Sequence, residues 1–208
     1  ELMRKADKAL YLAKEKGKNR HIIYEERLHG KLESDDMQNM AMAYAVSKEK
    51  KREVITKMIT ELCVSGVNSI VKKEERLQQI RSLFDLDGIT IYSESGAQLV
   101  CRNGNYMVEV PDGRGLFEDE KYLALFGDDD NFIESNTLKL RSQDPAAFAV
   151  MQKQEIGAFL QCLSRKEGVP NVIVNYDVFN RNRKWSDEDI TLLTILGHCI
   201  GNLLNYSE

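Results

Sequence analysis

Cysteine is scarce: four residues in 208, none in a Cys-x-x-Cys pair, which excludes a disulfide framework and a zinc knuckle. Cys63, Cys101, Cys162 and Cys199 each lie among aliphatic residues, where a thiol packs as a small hydrophobe. The expectation is four buried free thiols in a reducing, cytoplasmic setting. The three histidines, His21, His29 and His198, stand at no metal-ligand spacing to one another or to the cysteines. That excludes a structural zinc site. Long apolar runs are missing too. None approaches the roughly 18 residues that a membrane-spanning helix needs, so no membrane insertion is expected. Positive charge is not in excess, at a net charge of -4, and nucleic acid is not an expected partner.

Catalytic apparatus is equally absent. There is no set of nucleophile, base and orienting residue, and no glycine-rich phosphate loop. Gly113-Arg114-Gly115 lacks the strand-to-helix context of a nucleotide loop and reads as a turn. Asp128-Asp129-Asp130 lacks the alternate ligands and closing glutamate of a calcium loop. It reads as a solvated loop. No cofactor and no enzymatic activity are expected of this chain.

What remains is 42% hydrophobic and 30% charged residues, the balance of an ordinary globular protein. At this length one domain with an appendage is expected. The chain opens Glu1-Leu2-Met3-Arg4, without an initiator methionine or a signal-peptide pattern, and is expected to be a segment of something longer. Leu2, Ala6, Ala9, Leu10 and Ala13 recur at helical spacing, with Gly17 placed to stop the helix. His21-Ile22-Ile23-Tyr24 follows as a short β-prone run. A helix and one edge strand cannot bury a core alone.

The run Ala6-Asp7-Lys8-Ala9-Leu10-Tyr11-Leu12-Ala13-Lys14-Glu15-Lys16-Gly17-Lys18-Asn19-Arg20 resembles the closing helix and turn of GGDEF domains, the diguanylate cyclases of bacterial cyclic di-GMP signalling. The resemblance covers about a tenth of the chain and implies that residues 1–24 are the C-terminal remnant of such a domain. The GG[DE]EF hairpin that holds substrate and metal in those cyclases is absent, so no catalytic residue is carried over.

Residues 25–53 read as a helical connector. Ser34-Asp35-Asp36 can start a helix, and Met37, Met40, Tyr44, Ser47, Lys51, Val54 and Met58 follow a heptad spacing. The Lys48–Glu53 run interleaves glutamate with its cations and reads as a solvated helix face.

Residues 54–206 read as one domain. Apolar pairs every four residues from Val54/Ile55 to Ile70/Val71 give a helical stripe, and Lys72 to Leu83 continues as helix. Strands are expected at Ile89–Tyr92, Gln98–Arg102 and Tyr106–Val110, separated by Gly-containing turns. Glu118–Phe126 and Pro145–Lys153 read as short helices flanking a strand at Phe132–Ser135. Ala158–Leu163 and Val172–Val178 form a hairpin. In the second of these strands the valines and Tyr176 share one face, while Asn175 and Asp177 share the other. Ser186 starts the last helix, with Asp189 three positions on. That helix is apolar over two stripes.

This order gives an α+β domain with an antiparallel sheet and both terminal helices on one face. It resembles a GAF domain over roughly 150 residues, most closely from Ile156-Gly157-Ala158-Phe159-Leu160 through Trp185-Ser186-Asp187-Glu188-Asp189-Ile190. Of the NKFDE motif of cyclic-nucleotide-binding members, Trp185 stands for Phe and Asp189 for Asp, but Ile190 replaces Glu and the Asn-Lys pair is blurred. No Cys-His pair stands at bilin-attachment spacing. The resemblance implies a small-molecule pocket between the sheet and the middle helices, with Tyr92, Phe126, Phe132, Phe148, Met151, Phe159 and Tyr176 as its candidate lining. It implies a sensory, regulatory module that binds a small ligand, or else a ligand-free dimerisation scaffold. A parallel homodimer through the connector and the last helix is expected, with Gly197 and Gly201 either admitting a neighbouring helix or packing on the domain's own sheet.

Overall fold

The computed structural model describes residues 34–65, 74–94, 96–102 and 113–205, together with positions 2, 5, 6, 9, 10, 13, 21–25 and 27. The chain divides into two compact units, Glu1–Lys50 and Lys51–Glu208. In the first, the described positions 2, 5, 6, 9, 10 and 13 are helical, with Ala13 buried and Leu2 and Leu10 exposed. The rest of the GGDEF-like run lies outside the described residues. Residues 21–25 adopt no strand. Helix α1, Ser34–Ser65, starts at the expected serine. Of the heptad positions, the side chains of Met37, Met40 and Tyr44 lie outside the described residues, whereas Met58 is 1% exposed in the second unit's own core.

Within that second unit α1 buries Ile55, Met58 and Leu62, with Val54 and Ile59 partly buried against the same cluster, whereas Cys63, expected to be buried, is exposed, as is Val64. The pairs Gly66/Val67 and Ile70/Val71 and the strand expected at Tyr106–Val110 lie outside the described residues. Helix α2 runs Glu74–Leu83. Strands β1 (Gly88–Ser93) and β2 (Gly96–Arg102) form the first hairpin. A short 3-10 turn at Arg114–Phe117 leads into helix α3, Glu120–Leu123. Strand β3 (Asn131–Glu134), a 3-10 turn at Thr137–Lys139, and helices α4 (Leu140–Gln143) and α5 (Pro145–Lys153) complete the middle. Strands β4 (Ile156–Lys166) and β5 (Val169–Phe179) make the long hairpin, and helix α6 spans Asp187–Asn205.

The aspartate triplet closes a turn. Asp129 accepts from the Asn131 backbone and side chain, Asp130 has φ 54° and holds Arg165 through both carboxylate oxygens. The Asn131 side-chain hydrogen bond keeps the Asp129 carboxyl below the usual range.

The five described strands are ordered β2-β1-β5-β4-β3 and every neighbouring pair is antiparallel. Glu167 (φ 54°) and Gly168 (φ 85°) form the two-residue connection of the β4–β5 hairpin; two positive φ values in succession suit the twist of the flanking strands. One face of the sheet, carrying Ile89, Leu160, Val174, Tyr176 and Val178, packs on α1, α2 and α6 in a single buried cluster. The terminal helices therefore share one face, as the sequence pattern requires. Contact there is close enough to demand glycine: a Cβ on Gly197 would stand 2.6 Å from Cys162 Sγ, and one on Gly201 2.1 Å from Ser164 Oγ. Both glycines pack on the domain's own sheet. Among the described residues no helix is long and apolar enough to cross a membrane.

Candidate ligand-binding face

The opposite face of the sheet is built by the same period-two rule. Cross-strand pairing sets three rows upon it. Tyr92 lies beside Ile173 and Leu163; Thr90 beside Asn175, Gln161 and Phe132; Gly88 beside Asp177, Phe159 and Glu134. The first row is apolar, but the middle row is polar across three strands. Thr90, Gln161, Asn175 and Asp177 are 0–3% exposed. Burying so many polar groups is unfavourable unless each finds a partner.

Some do. Asp119 caps α3 by accepting from the backbone N–H groups of Lys121 and Tyr122, which fixes the helix that carries Tyr122 over the sheet. The Tyr122 hydroxyl donates to Gln161 Oε1 at 2.6 Å, and burial pushes this phenol far above its ordinary range. Asn175 Nδ2 donates to both Asp177 oxygens, at 2.9 and 3.0 Å. Two oxygens in the row stay without a hydrogen-bond partner among the described residues: Thr90 Oγ1 and Asn175 Oδ1. They belong to residues directly paired across β1 and β5.

Around this row stands an apolar wall. Tyr122, Phe126 and Phe132 contact one another edge-to-face and Phe159 meets Phe132 in the same way, with ring centroids 4.8–6.2 Å apart. Helix α5, started by Pro145 and capped by the Asp144 carboxylate on the N–H groups of Ala146 and Ala147, supplies Met151 and the half-buried Phe148. Gly113, at φ 79°, brings its backbone so close to Tyr92 that a Cβ would stand 2.2 Å from the ring.

Six of the seven residues expected to line a pocket therefore meet on one face: Tyr92, Phe126, Phe132, Phe148, Met151 and Phe159. Tyr176 does not. It points the other way, into the cluster under the terminal helices, beside Gly197. Its even position on β5 matches the valines, and that parity already separated it from Asn175 and Asp177. The polar residues were not among the expected lining, although the same alternation places Asn175 and Asp177 on this face of the sheet. Gln161 and Thr90 carry no comparable sequence signal, since both are embedded in apolar runs.

No family model and no curated protein matches the sequence. Solved structures do match in fold. The phycoerythrobilin-bound GAF domain of a cyanobacterial phytochrome superposes with TM-score 0.56 at 11% identity, over 78% of this chain and 97% of that one. The chromophore-binding domain of Stigmatella aurantiaca bacteriophytochrome gives 0.57 at 14% identity, over 77% and 61%. A far-red-absorbing dark-state protein with bound biliverdin IXa gives 0.57 at 13% identity, over 74% and 98%. The fold is GAF-like.

Proposed function

We propose that this chain is a sensory module of a bacterial cyclic di-GMP signalling protein, and that its sheet face binds a small organic ligand to control an attached diguanylate cyclase domain. The observation that carries the ligand reading is the pair of partnerless buried oxygens, Thr90 Oγ1 and Asn175 Oδ1, at the centre of an aromatic wall. A buried acceptor without a donor costs about 1–3 kcal/mol, and a ligand N–H or O–H removes that cost. The chemistry favours a flat molecule, neutral or cationic, with hydrogen-bond donors along one edge. The link to cyclic di-GMP rests on the GGDEF-like run at residues 6–20.

Native mass spectrometry of freshly purified protein, followed by a thermal-shift screen of metabolites, tests the reading. A ligand at a hundredfold its dissociation constant adds about 2.7 kcal/mol of stability, or about 5–10 °C in melting temperature for a domain of this size. No co-purified molecule and no shift across the screen would sink the sensor. The second reading, a ligand-free homodimerisation scaffold, draws support from Val64 and Ile195, which are 82% and 48% exposed on α1 and α6. A monomeric mass by light scattering at high micromolar concentration counts against that dimer.

A further inference from the structure

Helices α1 and α6 run alongside each other in parallel. At one end Lys51 pairs with Asp189, and Arg52 holds Glu188 through both carboxylate oxygens. Cys63 lies eleven positions beyond Arg52, and Cys199 eleven positions beyond Glu188. Eleven residues are about three helical turns, so each cysteine returns to the face that carries its helix's ion pair, about 16 Å further on. That register brings the two cysteines to the same level of the helix pair, and burial first, then the nearby Cys63, pushes the Cys199 thiol up. Cys63 is exposed and Cys199 half-buried. The other two cysteines are buried within the domain, Cys162 under Gly197 and Cys101 on β2.

We propose that Cys63 and Cys199 are a peroxide-responsive thiol pair that closes to an intrachain disulfide. The roles divide by access. The exposed Cys63 thiolate attacks a hydroperoxide, the O–O bond breaks, and sulfur takes one oxygen as sulfenic acid while the other leaves as water or alcohol. The Cys199 thiolate then attacks the Cys63 sulfur, forms the S–S bond and expels the oxygen as hydroxide, which takes up the thiol proton as water. Two electrons pass from the thiols to the peroxide, and a small thiol reverses the change. The bond fastens the last turn of α1 to α6, adding a covalent link to the two ion pairs at the other end. This function is independent of the ligand face.

Dilute hydrogen peroxide applied to the whole chain, followed by alkylation and peptide mass spectrometry, tests the proposal. The expected product is a Cys63–Cys199 linked peptide about 2 Da lighter than the two free peptides together, removed by dithiothreitol. Melting temperature should rise on oxidation of the native sequence and stay unchanged in Cys199→Ser, where sulfenic acid accumulates on Cys63 instead. The native protein alone suffices if that variant fails to fold. Independent over-oxidation of the two thiols without a linked peptide overturns the proposal. So does a linkage found only between light and isotopically heavy copies in a mixed sample.

Discussion

Removing the Tyr122 hydroxyl strands the Gln161 side-chain oxygen in a face that excludes water. Tyr122→Phe should therefore cost about 1–3 kcal/mol, read as a lower urea midpoint with an unchanged slope. Thr90→Val acts on the same row with the opposite sign. The Thr90 hydroxyl has no hydrogen-bond partner among the described residues, so an apolar side chain of the same shape should leave stability unchanged or raise it by about 1 kcal/mol. If the face binds a ligand, that variant should lose most of the ligand-induced thermal shift while folding normally. Equal shifts in native protein and variant would remove Thr90 from recognition. At this scale the sequence was legible where parity decides. Phe159 and Phe132 share one face of the sheet, and Tyr176 lies on the other with Val174 and Val178 of its own strand. Cys63 shows the limit of local context, for an aliphatic neighbourhood in sequence says nothing about which side of a helix a thiol occupies.

The start of α6 is held by side chains from three directions. Ser186 Oγ accepts from the Asp189 N–H, and the Asp189 carboxylate accepts from Lys51 Nζ and, at 2.9 Å, from Arg183 Nη2. Arg183 also donates to the Phe84 carbonyl and lies 4.2 Å over the Trp185 ring. Burial lowers the Arg183 guanidinium from its usual range, and the Asp189 carboxylate, with a smaller contribution from Asp85, opposes that. Asp189→Ala leaves two cations unpaired at a junction where all three side chains are 17% exposed or less. It should cost about 3 kcal/mol, measured by chemical denaturation, with Asp189→Asn costing less. Further along the same helix, Gly201→Ala drives a methyl into Ser164 and should cost about 1–3 kcal/mol by overpacking. A variant as stable as the native protein would show that α6 shifts freely on the sheet. The elements with strong local chemistry were readable: α5 from Pro145, α6 from its Ser186 cap, the hairpin from Gly168. The 3-10 turns and α4 were not, because segments of three or four residues carry no periodicity to detect.

For the domain as a whole, alkali should be a more informative perturbant than acid. Burial raises the Cys162 thiol and the Tyr122 and Tyr176 phenols above their ordinary values of 9.0 and 10.0, and burial with the neighbouring Cys63 raises Cys199. The folded state then keeps protons that the unfolded chain has released. Stability is full below the unfolded values and falls as pH rises past them. Melting temperature should be level to about pH 8, decline from about pH 9 as unfolded thiols ionise, and decline more steeply beyond about pH 10. Cys162→Ala should flatten the first decline; an unaltered profile would show that the thiol is solvated in the native state. The fold class was legible from the order of helices and hairpins, whereas the strand order was not, because it joins residues far apart in the chain. That order has a consequence for synthesis. β5 lies between β1 and β4 and pairs Gly88 with Asp177, yet it is the last of the described strands to leave the ribosome. Until residue 179 emerges, β1 has only β2 for a neighbour and the second half of the sheet has nothing to join. At about 5–20 residues per second, the incomplete sheet waits several seconds with open edges, a period in which nascent chains on one message can pair with each other. A chain truncated after Gly168 should accordingly remain without a cooperative unfolding transition.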